Sequence, residues 1–170
     1  IQGFGNVGSW TAKLLQEYGC KVIGVSGVHG GVYNSNGLDI PALLEHQSQS
    51  GRVPGFAGGE DITNAELLEL ECEVLVPAAI GNVVTAENAP KLRTKLVVEA
   101  ANHPLTPGAD DILFERGIRV MPDILVNAGG VIVSYFEWTQ NLQEFRWEEI
   151  QVNEELIKIL SRAYGEVREK

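Results

Sequence analysis

Six residues near the start of the chain, Gly3-Phe4-Gly5-Asn6-Val7-Gly8, form a G-x-G-x-x-G turn. Such a turn has a physical use when a strand runs into it and a helix leaves it. The first glycine permits the tight bend, the second lets backbone approach a pyrophosphate, and the third lets the helix pack closely. The phosphates of a dinucleotide then meet free N–H groups and the positive end of the helix dipole. Alone the pattern is weak, because glycine is common. The context supports it: Ile1-Gln2 reads as the tail of a strand, residues 6–18 as a helix and 21–25 as a second strand. Gly3, Gly5, Asn6, Val7 and Gly8 are therefore candidate cofactor contacts.

The same fingerprint expects a carboxylate after the second strand, to hold the ribose 2′-hydroxyl of NAD. This chain has Val25-Ser26-Gly27-Val28-His29 there, with no acid. Ser26 offers a hydroxyl to a ribose or to a 2′-phosphate. Losing the acid removes a repulsion against NADP, yet no Arg or Lys follows in this loop to attract the phosphate. For His29, a solvated loop position and a phosphate contact both fit.

In doubly wound sheets, ligands bind at the carboxyl ends of strands. Three further strand ends carry small residues and amides: Pro77-Ala78-Ala79-Ile80-Gly81-Asn82, Glu99-Ala100-Ala101-Asn102-His103-Pro104, and Pro122-Asp123 through Asn127-Ala128-Gly129-Gly130. Ala78 and Ala79 leave room for a flat ring. Asn102 and Asn127 each pair a donor with an acceptor, as a nicotinamide carboxamide requires. From spacing alone, both asparagines read equally well as helix caps.

The elements that position these residues alternate short apolar strands with helices. That pattern predicts an α/β fold, a Rossmann-type doubly wound and mostly parallel sheet with helices on both faces. In the first helix Val7, Trp10, Thr11, Leu14, Leu15 and Tyr18 predict a buried stripe, and Gly19 a left-handed cap. Residues 27–37 read as a glycine-rich loop. Asp39 is placed to cap a helix reaching Ser50 before Gly51, with Leu38 and Leu43 as a hydrophobic staple. Residues 52–61 read as a loop, and Thr63-Asn64-Ala65-Glu66 as a capping box. Residues 73–77, 95–99 and 118–121 read as strands. Thr85 is placed to cap a helix, and Thr106-Pro107 opens another that ends at Arg116-Gly117. Two C-terminal helices follow, over about 127–141 and 147–169. Val152, Leu156, Ile159, Leu160, Ala163 and Val167 stripe the second. The expected division is 1–125, dinucleotide-binding, and 126–170, C-terminal helices.

Composition sets outer limits. Hydrophobic residues make up 44% of the 170 and charged ones 21%, enough for one packed domain. No apolar run is long enough to span a bilayer, and the start does not resemble a secretory signal. A net charge of −10 argues against a nucleic-acid partner. Cys20 and Cys72 lack metal-type spacing and fit a reduced, cytoplasmic interior. His29, His46 and His103 are scattered, so no metal site is expected. With no initiator Met and a motif almost at its first residue, the chain reads as a fragment with its first strand truncated.

Three stretches carry a family resemblance. Gly3 to Gly8, Val97-Val98-Glu99-Ala100-Ala101-Asn102, and the run from Pro122 through Asn127-Ala128-Gly129-Gly130-Val131 to Ser134-Tyr135-Phe136-Glu137-Trp138 resemble the glutamate/leucine/phenylalanine/valine dehydrogenases. The last run is similar to the glutamate-specific members. The resemblance covers the family's cofactor domain and C-terminal helices. It implies an NAD- or NADP-dependent oxidoreductase that reversibly deaminates L-glutamate to 2-oxoglutarate and ammonia. It implies cofactor contacts at Asn6, Asn102 and Asn127, and substrate contacts at Ser134 and Val131, the Ser134 hydroxyl suiting the distal carboxylate. The family's catalytic lysine and aspartate lie in an N-terminal domain, so no catalytic residue is assigned in this chain. Alone, the chain is expected to be inactive, and the full-length enzyme to be a homo-oligomer.

Alternatives are a non-catalytic dinucleotide sensor and a dehydrogenase for another amino acid. The chain departs from the pattern at Ser26-Gly27, where members commonly have Ser-Asp. It also departs at Ile80-Gly81-Asn82, and at His103, where members often have glycine. A bulky His103 either crowds the nicotinamide or faces outward.

Overall fold

A computed structural model describes residues 1–168. Its contacts divide the chain into two units, Ile1–Met121 and Pro122–Lys170. The division falls slightly before the expected 125/126 boundary. The reason is a short helix, α5 (Asp123–Val126), which packs with the helices after it.

In the first unit, α1 (Asn6–Glu17) leaves the glycine turn with Gly5 as its N-cap. Gly19 follows in the left-handed region, φ +83°. The expected buried stripe is corrected by the structure. Val7, Trp10, Leu14 and Tyr18 are 51%, 59%, 44% and 85% exposed, whereas Gly8 and Ala12 are buried. Small residues bring this helix against the sheet, and its bulky ones face away. Leu15 alone of the predicted stripe packs against the core with Phe4, Val25 and Val32.

The second strand also differs from expectation. It is β1 (Gly24–Gly27), starting later than 21 and running on through Ser26. The predicted loop that follows is a hairpin: β2 (Gly30–Tyr33) pairs antiparallel with β1, placing Ser26 opposite Gly31. Glycine is required at 31 by close approach, since a Cβ there would lie 2.5 Å from Val25 O. Part of the next predicted loop forms β3 (Glu60–Ile62), again antiparallel to β2.

Between them, Asp39 caps α2 (Ile40–Ser50) through a bond from Ala42 N–H, and Gly51 ends it at φ +75°. Leu38 and Leu43 are both buried, as the staple requires. The Thr63 capping box opens α3 (Asn64–Leu68).

Three strands follow in parallel order: β4 (Val74–Leu75), β5 (Leu96–Val98) and β6 (Arg119–Met121). Helix α4 (Pro107–Glu115) precedes β6, capped by Thr106 and ended by Gly117 at φ +71°. The helix expected after Thr85 is absent. A 3₁₀ turn, Ala89–Lys91, stands there because Pro90 has no N–H and disfavours helical backbone before it.

Gln2 joins the two halves of the sheet, bridging Ser26 on one side and Pro77 on the other, both in parallel. The chain leaves Gln2 towards β1 on one flank and later places β4 on the other. Gln2 is thus at a reversal of strand order. The sheet is mostly parallel, as expected, with an antiparallel edge at β2 and β3, in a Rossmann-type α/β architecture.

In the second unit, α6 (Ala128–Gln143) and α7 (Glu149–Arg168) pack on each other. Phe136, 5% exposed, meets the Trp147 ring at 5.3 Å, and Gln140 Oε1 accepts the Trp147 N–H at 2.6 Å. On α7, Val152, Leu156, Ile159, Leu160 and Ala163 are half-buried, and Val167 is 41% exposed. Glu169, expected in this helix, lies outside the described residues.

Candidate functional site

The reversal at Gln2 is where an open α/β sheet forms a crevice outside its strand ends. Backbone bonds gather four segments there. Gly3 N–H donates to Ser26 O at 2.8 Å, and Ala78 N–H donates to Gln2 O at 2.7 Å. Ala100 and Ala101 N–H donate to Pro77 O at 3.0 and 2.9 Å. The sequence-predicted positions at Gly3, Ser26, Ala78, Ala79 and the Ala101-Asn102 corner are therefore adjacent strand ends of one sheet.

The three glycines of the turn do different work. Gly3 stands at φ +103°, and a Cβ on it would lie 2.8 Å from Ala78 C and from Ala79 Cβ. A Cβ on Gly8 would lie 1.8 Å from Gly3 O, so Gly8 lets the helix start close over its own turn. At Gly5 the added Cβ meets nothing within 4 Å, and φ is −82°. Neither space nor conformation demands glycine there. A glycine that the fold does not need is one that keeps backbone N–H groups accessible to a ligand. Gly5, Asn6 and Val7 are exposed at the helix N-terminus, and no side chain caps it. These residues fit a pyrophosphate.

Ser26 is different from its expectation. It is fully buried in β1, and its Oγ has no hydrogen-bond partner in the structure, as is true of Gln2 Oε1 beside it. A buried hydroxyl is out of reach of a ribose. Strand pairing carries the accessible end of this segment onward to Val28, 94% exposed, and to His29, also exposed.

The two asparagines stand differently towards the helices beside them. Asn102 is exposed in the corner after β5, and the next helix is capped by Thr106. Asn127 is at once the C-cap of α5 and the N-cap of α6, where its side chain makes no cap bond. On α6, Ser134 is exposed and Val131 is 70% exposed.

Sequence reasoning missed a paired strain at this edge. Asn82 and His103 both take positive φ, 56° and 47°, and Asn82 N–H donates to His103 O at 2.8 Å. The Gly81-Asn82 dipeptide was the available signal, since such pairs mark turns. His103 is exposed. Among the described residues no cluster of His, Cys, Asp or Glu is arranged to hold a metal ion. Burial pushes the Cys72 thiol up from its ordinary value, which keeps it protonated and a poor nucleophile.

The family model for glutamate/leucine/phenylalanine/valine dehydrogenase matches residues 1–170. The chain belongs to this family. Within the family it is 51% identical, over 168 residues, to a glutamate dehydrogenase of Thermotoga maritima, covering 98% of this chain and 40% of that protein. A hetero-hexameric glutamate dehydrogenase of Thermus thermophilus, solved with leucine bound, superposes with TM-score 0.90 at 34% identity, over 95% of this chain and 38% of that one. The glutamate dehydrogenase of Peptoniphilus asaccharolyticus gives TM-score 0.77 at 38% identity, covering 96% and 38%. This family member thus spans about 40% of the length of the curated relative.

Proposed function

We propose that the chain is the cofactor-binding part of an NAD- or NADP-dependent enzyme that reversibly deaminates L-glutamate to 2-oxoglutarate and ammonia. The observation that carries the cofactor reading is the open space at Gly5 beside an uncapped, exposed helix start. Backbone N–H groups of Gly5, Asn6 and Val7 bind the pyrophosphate, and Ala78 and Ala79 leave room beside it. Asn102 bonds the nicotinamide carboxamide, and the resemblance gives Asn127 the same task. When bound, the nicotinamide accepts or returns the hydride exchanged with the substrate α-carbon. The glutamate reading is supported by the 51% likeness to a glutamate dehydrogenase. In it, the Ser134 hydroxyl bonds the substrate's distal carboxylate and Val131 flanks its chain. The proton-transferring groups come from the part of the relatives that this chain does not span. The enzyme acts in the cytoplasm as an oligomer, in keeping with its free thiols and its hexameric relative.

Calorimetric titration of the purified chain with NAD and NADP tests the cofactor reading. Binding of either supports it. Tighter NADP assigns the 2′-phosphate to the Val28-His29 turn, and tighter NAD assigns the ribose to other groups of that turn. No binding of either at roughly 1 mM would reject it.

A further inference from the structure

The segments that leave β4 and β5 are bonded to each other along their length. Ala100 and Ala101 N–H donate to Pro77 O at 3.0 and 2.9 Å, Asn82 N–H to His103 O at 2.8 Å, and Val84 N–H to Pro104 O at 3.0 Å. Thr106 N–H returns a bond to Val84 O at 2.9 Å. Asn102 is therefore bracketed: the residue before it and the residue after it are both tied to the segment that follows β4. The approach is close at Gly81, where a Cβ would lie 3.0 Å from Asn102 O and 3.2 Å from His103 O.

The far side of this bracket rests on an uncommon backbone. Asn82 stands at φ +56° and His103 at φ +47°. Asparagine enters this left-handed region more readily than most residues, and a β-branched residue enters it hardly at all. The turn at Asn82 lies between the bonds from Asn82 and Val84 and lets both form together. The Asn82 side chain is exposed, so what this residue supplies is its main chain. We infer that Asn82 is a positioning residue for the nicotinamide end of the cofactor: its left-handed backbone holds the His103 carbonyl, and through it the Asn102 corner. The inference rests on the cofactor reading above, in which Asn102 bonds the carboxamide. That recognition pairs one donor with one acceptor, and a shifted corner misaligns both. The glycine turn makes its bonds elsewhere, Gly3 N–H to Ser26 O and Ala78 N–H to Gln2 O, so the pyrophosphate end does not depend on Asn82.

The test compares NAD with ADP-ribose, which has the same adenosine and pyrophosphate but no nicotinamide, by calorimetric titration of the purified chain. For NADP the matching probe is 2′-phospho-ADP-ribose. The unaltered chain is expected to bind the dinucleotide roughly tenfold more tightly than the truncated ligand. Asn82→Val places a β-branched residue at a left-handed position, and is expected to lose that roughly tenfold advantage while its affinity for the truncated ligand changes less than about twofold. Asn82→Gly adopts the same backbone freely and is expected to match the unaltered chain with both ligands. Where Asn82→Val does not fold, Asn82→Ala makes the same comparison, with an expected loss of roughly threefold confined to the dinucleotide. Equal losses for both ligands, an unchanged dinucleotide affinity in the altered chain, or no rescue by Asn82→Gly would overturn the positioning role and leave the cofactor reading standing. Failure of the unaltered chain to bind either ligand would reject the cofactor reading, and this inference with it.

Discussion

Gly5 and Gly3 sit two residues apart yet answer to different demands, and alanine separates them. At Gly5 the space is open and φ is −82°, so Gly5→Ala is expected to change stability by less than about 0.5 kcal/mol while weakening nucleotide binding roughly tenfold. Gly3→Ala must seat a Cβ 2.8 Å from Ala78 at φ +103°, and Gly8→Ala one 1.8 Å from Gly3 O. Each is expected to cost about 2 kcal/mol or more of folding stability. Denaturant unfolding beside calorimetry of the three variants checks this, and a Gly5→Ala chain that unfolds early would refute the assignment. His103 poses the opposite case. Its φ of 47° costs about 1 kcal/mol, so His103→Gly is expected to hold or raise the melting temperature and His103→Val to lower it. The motif glycines were legible because their spacing states their conformation. The burial of Ser26 was not, because a hairpin partner some five residues away decides it.

Caps were the most legible feature at the scale of elements. Asp39, Thr63 and Thr106 all bond the N–H groups that their positions in sequence suggest, since capping involves neighbours three residues apart. Hairpin β1–β2 was illegible for the opposite reason: its glycines signal a loop, yet they are there so that strands can approach. The α1 stripe failed because periodicity shows that a helix has two faces, not which one a sheet takes when the other carries Gly8 and Ala12. The α3 cap also carries a pH dependence. The backbone N–H and then the hydroxyl of Thr63 hold the Glu66 carboxyl below its ordinary value of 4.5. A depressed folded value means stability that is complete above that ordinary value and is lost as pH falls through the folded one. Glu66→Gln is expected to flatten the acid limb of the stability curve and leave neutral pH nearly unchanged. Thr63→Ala removes the cap itself and is expected to cost about 1 kcal/mol at pH 7. Chemical denaturation across pH measures both, and an unchanged acid limb in Glu66→Gln would disprove the linkage.

Charge and apolar surface oppose each other in the molecule as a whole. On α6, Val131, Tyr135, Trp138 and Leu142 recur at helical spacing and are 70%, 60%, 57% and 66% exposed, while Phe136 on the other face is buried. Such a contiguous stripe favours association. The net charge of −10 resists it, because like-charged chains repel. The balance is set by ionic strength: the screening length falls from about 10 Å at 0.1 M salt to about 3 Å at 1 M. Screening weakens the repulsion and leaves the apolar attraction in place. The purified chain is therefore expected to sediment as monomer in dilute buffer at low salt and to associate as salt rises. Trp138→Ser removes the largest ring of the stripe without altering charge, and is expected to keep the chain monomeric at both ionic strengths. Association that weakens as salt rises would mean that ion pairs, not this stripe, hold the copies together. Wild-type chain monomeric at both ionic strengths would mean that the stripe is too small to overcome the cost of joining two copies.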